Sequence, residues 1–443
     1  MLRRILVLLL IISTSALAQN APAKTTLIKA GRLLDVKAGV YLTNQGVLVV
    51  GDRIKEVGAF GTVKAHAPQD TEVIDLSQAT LLPGLIDCHG HLLSAMEGHW
   101  YPAGAAIALT LTRIGPAKRA LIGAANARSM LEAGFTAVRN VGHSGVNGDA
   151  ALRDAINEGL IAGPRVLAAG RKITPIGGQA IDLRSPNAEA IIAEEFLAIG
   201  SPDDARRAVR QALADGADVI KVVADDNKRI LNSAEMRAIV EEAHRVNVKV
   251  AVHATTVAGI QAAIDGGVDS IEHSDEATEE QFRAMRDKGI FLDPTLWTAQ
   301  MLRDIYLKSL YFSPEETVGF EKAMEQYTTL SKAKLKLALK VGVKLAAGSD
   351  MWVRYPGKKR GEATMMMFEA LVDAGLSPLE AIRAATTNAA ELLGWQDRLG
   401  SIEANKFADL IAVAGDPLKD INELKRVKFV MKGGEVVKHE LAK

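Results

Sequence analysis

The chain has 443 residues and 48% hydrophobic content, enough for one large domain or several smaller ones with a sizeable core. Lys plus Arg equals Asp plus Glu at 53 each, so bulk charge gives no reason to expect nucleic acid or an anionic membrane as a partner. The single cysteine, Cys88, excludes an internal disulfide.

Residues 1–18 read as a secretory signal peptide. Arg3 and Arg4 precede an apolar run from Ile5 to Ile12, and Ala16-Leu17-Ala18 forms a small-x-small cleavage site before Gln19. The run is short for a bilayer span, so a secreted or periplasmic protein without a stable membrane anchor is expected.

Short strands and turns follow at Thr26–Ala30, Gly46–Val50, Arg53–Val57 and Glu72–Asp75, with Gly51-Asp52 as a hairpin signal. The C-terminus has the same texture: Asp409–Ala414, Val427–Met431 and Glu435–Lys438, with a turn at Gly433-Gly434. These ends predict one small β domain from residues 19–83 plus 400–443.

The middle alternates. Eight apolar strands are predicted at Leu85–His89, Thr136–Val141, Arg165–Ala169, Asp218–Val223, Lys249–His253, Asp269–His273, Gly289–Leu292 and Val343–Ala347. Helical segments separate most of them, among them Pro202–Ala214, Ser233–Val246, Thr278–Lys288 and Pro314–Val341. Ser233 is the expected cap of the second, and Thr278 with Gln281 has capping-box character. Eight such units predict an α/β fold, a (β/α)8 barrel over residues 84–399.

Chemistry on such a barrel belongs at the C-terminal ends of the strands. There lie His89, His91, His143, Lys221, His253, His273 and Asp350, holding five of the nine histidines. His89 and His91 are separated by Gly90 in a strand, so both imidazoles can aim at one point. Neutral imidazole is a ligand for Zn and similar metals. Lys221 stands inside Val219-Ile220-Lys221-Val222-Val223, where a free ammonium is costly. It is either ion-paired, with Asp225 or Asp226, or carboxylated by CO2 to an anionic metal ligand. Asp350 is a helix cap or a first carboxylate of the site.

Together, the His-x-His strand, Lys221, His253, His273, Asp350 and the returning Ala404-Asn405-Lys406-Phe407-Ala408-Asp409-Leu410 segment resemble the amidohydrolase superfamily. Asn405 stands where glycine is usual in that segment. The resemblance implies metal-dependent hydrolysis on a barrel joined to a β-sandwich made from both termini. It implies two divalent ions, in the first instance Zn: His89, His91 and Asp350 on one, His253 and His273 on the other, carboxylated Lys221 between them. Within the superfamily, Gly216–Val222, His253-Ala254-Thr255-Thr256 and Gly267–His273 are similar to the branch of imidazolonepropionase-like enzymes and Xaa-Pro or Xaa-Arg/Lys dipeptidases. That branch includes ochratoxin-hydrolysing amidases. Several of its dipeptidases carry Tyr where this chain has Thr255.

The implied function is an exported amidase or dipeptidase acting on N-acyl amino acids or dipeptides, a small-molecule amide or peptide substrate. Asp350 would shuttle the proton and His143 would support the carbonyl oxygen. The alternative is a hydrolase of lactones or cyclic amides on the same metals; a non-catalytic binding protein would have no need of all six ligands. Arg184, in a long loop over Ile173–Gly200, and Arg354, in Met351–Gly361, are either solvated surface cations or the clamps for a substrate carboxylate. Leu296–Phe312, with Trp297, Tyr306, Tyr311 and Phe312, forms an apolar pocket or packs a helix. Many relatives assemble into oligomers, so a homo-oligomer is expected.

Overall fold

The computed structural model describes residues 23–94, 96, 110–179, 186–226, 228–307 and 313–441. The signal sequence, Arg184, Tyr311 and Phe312 lie outside these. The strands run β1 (Thr25–Asp35), β2 (Val40–Val50), β3 (Arg53–Ala59), β4 (Glu72–Pro83), β5 (Leu85–Gly90), β6 (Phe135–Asn140), β7 (Arg165–Ala168), β8 (Lys172–Pro175) and β9 (Phe196–Ile199). They continue with β10 (Val219–Val223), the short pair β11 (Asp225–Asp226) and β12 (Arg229–Ile230), β13 (Lys249–Ala254), β14 (Ser270–His273), β15 (Phe291–Asp293), β16 (Leu410–Val413), β17 (Val427–Lys432) and β18 (Glu435–His439).

The two termini build one sheet in the order β18-β17-β16-β4-β1-β2-β3. Both expected hairpins form. Val50 pairs with Arg53 across Gly51-Asp52, and Lys432 pairs with Glu435 across Gly433-Gly434, whose φ angles of 55° and 78° favour glycine. A Cβ on Gly434 would sit 2.0 Å from the Gly51 carbonyl oxygen, so the two turns touch. The C-terminal strand β16 enters the N-terminal sheet antiparallel to β4, with Leu410 opposite Pro83. The far edge curls back: Arg53 in β3 bridges Phe407, just ahead of β16. Inside the curl lies an apolar core that includes Ile28, Leu81, Leu410 and Phe429.

The barrel strands run parallel. The pairings β5–β6–β7 and β10–β13–β14–β15 make two arcs. Asp218 N–H donates to Ala168 O at 2.7 Å and joins the arcs at β7 and β10. The eighth segment, Val343–Ala347, is held differently from a ladder strand. It bridges through Leu292 and Leu345, and Cys88 N–H donates to Ala347 O at 2.9 Å to close the ring. Small residues follow because space is short there: a Cβ on Gly348 would meet Asp293 Oδ2 at 2.2 Å and His89 Cβ at 2.4 Å. The single cysteine, Cys88, is buried in β5.

Two expectations need correction. Ile173–Gly200 is more than a loop: β8 and β9 pair in parallel, and a helix at Ala188–Ala193 lies between them. Burial of Ile173, Phe196 and Ile199 pins this unit to the barrel, and its strands of four residues are too short to show a period. The helix expected from Ser233 is capped by Asn232 instead. The Asn232 side chain accepts from the Ala234 and Glu235 amides while Glu235 reaches back to the Asn232 N–H. Ser233 is left to bond Asp265. The Thr278–Gln281 capping box and the helix Pro314–Val341 form as expected. No helix among the described residues is long and apolar enough to cross a membrane.

Candidate active site

At the end of β5 the two histidines are oriented from behind. His89 donates from Nδ1 to Glu272 Oε2 at 2.7 Å, and His91 donates from Nδ1 to Gly142 O at 3.2 Å. Both Nε2 atoms therefore face inward, toward Asp350 Oδ1, at 3.6 Å and 3.0 Å. Gly90 is required between them, since a Cβ there would meet Val138 Cγ1 at 2.5 Å. Asp350 is tied to the same strand: its N–H donates to His89 O at 2.9 Å. It has φ 47°, and His143 and His273 also have positive φ, at 59° and 70°. Three non-glycine residues in the left-handed region within one site mark backbone held there by its surroundings.

His253 and His273 end β13 and β14, with ring centroids 4.4 Å apart. His273 Nδ1 lies 2.6 Å from Thr295 Oγ1, which fixes its ring. His273 is 5.3 Å from His89 and His143 is 4.7 Å from His91, centroid to centroid, so the rings form a continuous arc. Burial, with Lys221 close by, holds His89 well below its usual value and brings His253 down to about 3. Burial also keeps His273 and His143 neutral. These are lone-pair donors rather than cations.

Lys221 points from β10 into the same space. Its Nζ is buried and has no hydrogen-bond partner among the described residues. Burial lowers it to about 8. Neither expected acid serves it. Asp225 is occupied by the N–H and hydroxyl groups of Thr255 and Thr256, at 2.7–3.1 Å, and Asp226 pairs with Arg229. Thr255 thus has a local task, ordering the turn after His253.

Under the histidines lies a charged layer. Glu272 accepts from Arg139 Nη2 at 2.9 and 3.0 Å and from Ser270 Oγ at 2.5 Å. Burial alone would raise the Glu272 carboxyl, but Arg139 and Lys221 bring it below the usual range. Asp293, 3.8 Å from Arg139, is pushed well up by burial and then by Glu272. Asp87 Oδ1 accepts from the amides of His89 and Ser349, both at 3.0 Å. This layer orients the histidines above it.

The resulting cavity measures about 150 Å³. His89, His91, His143, Lys172, Gln179, Lys221, His253, His273, Asp350 and Trp352 line it. Atoms of His89, His91 and Asp350 lie within 4.8 Å of one another, a spacing that suits a single ion. The chemistry agrees. In a neutral ring His91 Nε2 is a lone pair, so it and Asp350 Oδ1 are two acceptors facing each other at 3.0 Å, and a cation between them satisfies both. A second triad, His89 with Glu272 and Asp293, also converges. There Arg139 already supplies the positive charge.

The structure therefore brings together His89, His91, Lys221, His253, His273, Asp350 and His143. Arg354 is elsewhere, on a groove of about 1280 Å³ beside Arg128, Lys358 and Lys359. Trp297 and Tyr306 pack with Met301, Met351 and Tyr355, and Trp297 Nε1 donates to Ser349 O at 2.8 Å behind Asp350. Sequence reasoning missed Lys172, Gln179, Glu272 and Arg139. For Arg139 the signal was present: it is a cation within a short apolar strand, as Lys221 is.

Comparison with known proteins agrees with this geometry. The profile described as "Amidohydrolase family" matches residues 80–437, and the chain belongs to that family. It is a hydrolase acting on amide bonds, on the barrel-plus-sandwich fold of its relatives. Among those relatives, the Aspergillus niger ochratoxinase is 32% identical over 95% of this chain and 88% of its own length. The crystal structure of a Xaa-Pro dipeptidase with bound methionine superposes with a TM-score of 0.79. It is 31% identical and covers 94% of this chain and 100% of that one. An imidazolonepropionase of Clostridium tetani is 22% identical over 89% of this chain and 91% of its own.

Proposed function

We propose that the protein is an exported, binuclear metal-dependent amidase that cleaves N-acyl amino acids or dipeptides, including amides of the ochratoxin type. One observation carries this reading: a desolvated Lys221 amine, unpartnered among the described residues, facing five histidines and Asp350 in one small cavity. His89, His91 and Asp350 are assigned to one ion, His253 and His273 to the other, both taken as Zn. Lys221 is assigned to both. A buried amine held near 8 is available in its neutral form, and its attack on CO2 with loss of one proton yields a carbamate with two oxygen donors.

Divalent ions held by these residues would supply Lewis acidity toward the scissile carbonyl and would make water more acidic near neutral pH. The chain's own residues do the rest. Asp350 takes the proton of the attacking water and returns it to the leaving nitrogen. Trp297, bonded to Ser349, braces the backbone beside Asp350, so the carboxylate stays aimed at the cavity. His143 faces the cavity beside His91 and supports the carbonyl oxygen. Residues 1–18 are assigned as the export signal, and N-terminal sequencing of the mature form should begin at Gln19. A homo-oligomeric assembly is part of this reading, and light scattering measures it.

The test is product detection by mass spectrometry, with protein produced in Zn and bicarbonate. The panel holds dipeptides, N-acyl amino acids including ochratoxin, lactones and cyclic amides. Cleavage of amides bearing a free carboxylate, with two metal ions per chain, is the expected result. Turnover confined to lactones or cyclic amides would favour the alternative, which the likeness to imidazolonepropionase motivates.

A further inference from the structure

The cavity holds a second lysine that metal chemistry does not use. Lys172 is 2% exposed, and its position is built rather than incidental. Its stem crosses Gly142, where a Cβ would meet Lys172 Cγ at 2.7 Å and Cδ at 2.8 Å. Its Nζ lies 4.9 Å from the centre of the Phe196 ring, donates to Gln179 Oε1 at 2.7 Å and sits 3.4 Å from His143 Nε2. Two strands, a glycine and an aromatic ring thus hold one ammonium at the wall of the cavity. Lys172 and Lys221 are the only cationic side chains among the described residues lining that cavity. The acids nearest in effect are Glu195, which is bonded to Arg119 at 2.9 Å, and Asp350, which faces the histidines. No carboxylate is hydrogen-bonded to Lys172 among the described residues, and a neutral amide oxygen takes one of its protons.

A buried ammonium with no hydrogen-bonded anion is costly, and burial draws Lys172 down to about 7, although the charges of Glu195 and Asp350 act the other way. A ligand carboxylate placed at Nζ would offset that cost and restore the charge. Resting on the proposed amidase reading, we infer that Lys172, held by Gln179 and by contact with Gly142 and Phe196, binds the free carboxylate of the amino-acid half of the substrate, and that it sets the preference for amides with that group. Lys172 then plays the part the sequence suggested for Arg184 or Arg354. It does so from within the same cavity as the metal ligands, at a distance set by the pocket wall. A substrate gripped there presents its amide toward Asp350 and the histidines, and one lacking the carboxylate leaves the ammonium unpaired.

The experiment compares matched ligands on the metal-loaded enzyme and on Lys172→Met, which keeps the stem, with Lys172→Arg as the charge-retaining control. Calorimetry measures binding of L-phenylalanine and L-phenylalaninamide, and kinetics measures an N-acyl phenylalanine against its C-terminal amide. Removing one partner of a buried charge pair weakens a contact by roughly 30-fold or more. Lys172→Met is therefore expected to lose that much affinity for phenylalanine, and as much kcat/KM for the acid substrate, through KM. Phenylalaninamide binding and the amide substrate should change little, so the preference collapses. Lys172→Arg should recover part of it. Equal losses on acid and amide ligands, unchanged acid binding, or a loss that appears in Arg184→Leu or Arg354→Leu and not in Lys172→Met would each overturn the inference. An unaltered circular dichroism spectrum and metal content show that the variant is folded. If no amide is cleaved at all, the proposed activity falls, while the calorimetric comparison still decides the role of Lys172.

Discussion

The core of the terminal sheet and the floor of the barrel are both buried, and they are made of opposite materials. The sheet core is built mainly of apolar side chains, among them Ile28, Leu81, Leu410 and Phe429. The barrel floor carries Asp87, Arg139, Glu272 and Asp293, with Lys221 and Lys172 above them. An apolar core tolerates loss of one contact at the cost of a cavity. A buried charge network fails when one member goes, because the others are left unpaired in low dielectric. The sheet supplies stability by area; the floor converts stability into aim.

The strongest way to sharpen that contrast is Lys221→Met, which keeps the side-chain volume and removes the amine. Activity on any amide substrate is expected to fall on the order of 1000-fold or more, while the thermal midpoint of the metal-free protein holds or rises. A normal kcat in that variant would break the proposed role of Lys221. Next come two substitutions of similar cost and different consequence. Phe429→Ala, in the sheet, should lose about 3–5 kcal/mol in urea denaturation, with unchanged kcat per folded molecule. Arg139→Leu, in the floor, should lose about as much, since Glu272 and Asp293 lose their cation, and should also depress kcat through the misdirected His89 ring. If both variants kept full kcat, the two regions would not differ as described. A smaller effect is expected for Thr295→Val, which removes the partner of His273 Nδ1: roughly 10–100-fold weaker metal retention in competition with a chelator.

A further effect is in pH. Folding holds Lys172 at about 7, below its value of roughly 10.4 in the unfolded chain. Between those values the unfolded state binds more protons than the folded state, so stability rises with pH across that window. The metal-free wild type should therefore gain on Lys172→Met from pH 7 to pH 10 in thermal melts. A gap that is constant over this range would mean that Lys172 is solvated.

Much of this could be read along the chain. Strand texture at both ends, eight apolar segments between them and the histidines, Lys221 and Asp350 at their ends are one-dimensional patterns. Each is written within a few residues, as in His89-Gly90-His91. What stayed hidden is pairwise and distant. Arg139 and Glu272 lie on different strands, and nothing in either strand names the other. The ion-pair alternative for Lys221 could be settled only once Asp225 was seen gripping Thr255 and Thr256. Lys172 escaped because β8 is four residues long, ends in Pro175 and follows Gly170-Arg171, a context that reads as a loop. Asn232 and Ser233 are both good cap residues, and a one-residue choice between them is made by the reach of Glu235.

The closure of the ring has a consequence for how the protein comes into being. His91 and Asp350 meet across 259 positions of chain, and β4 waits for Leu410 and its neighbours before its open edge is covered. On the ribosome, the N-terminal strands emerge long before their partners exist, leaving an unprotected sheet edge exposed through most of synthesis. The sheet cannot be finished until β16 and the strands beyond it have emerged, so its open edge is covered last. A product cut short after Lys406 would lack β16 and the two strands beyond it. Such a chain, with every histidine of the pocket intact, would be prone to aggregate through the bared β4.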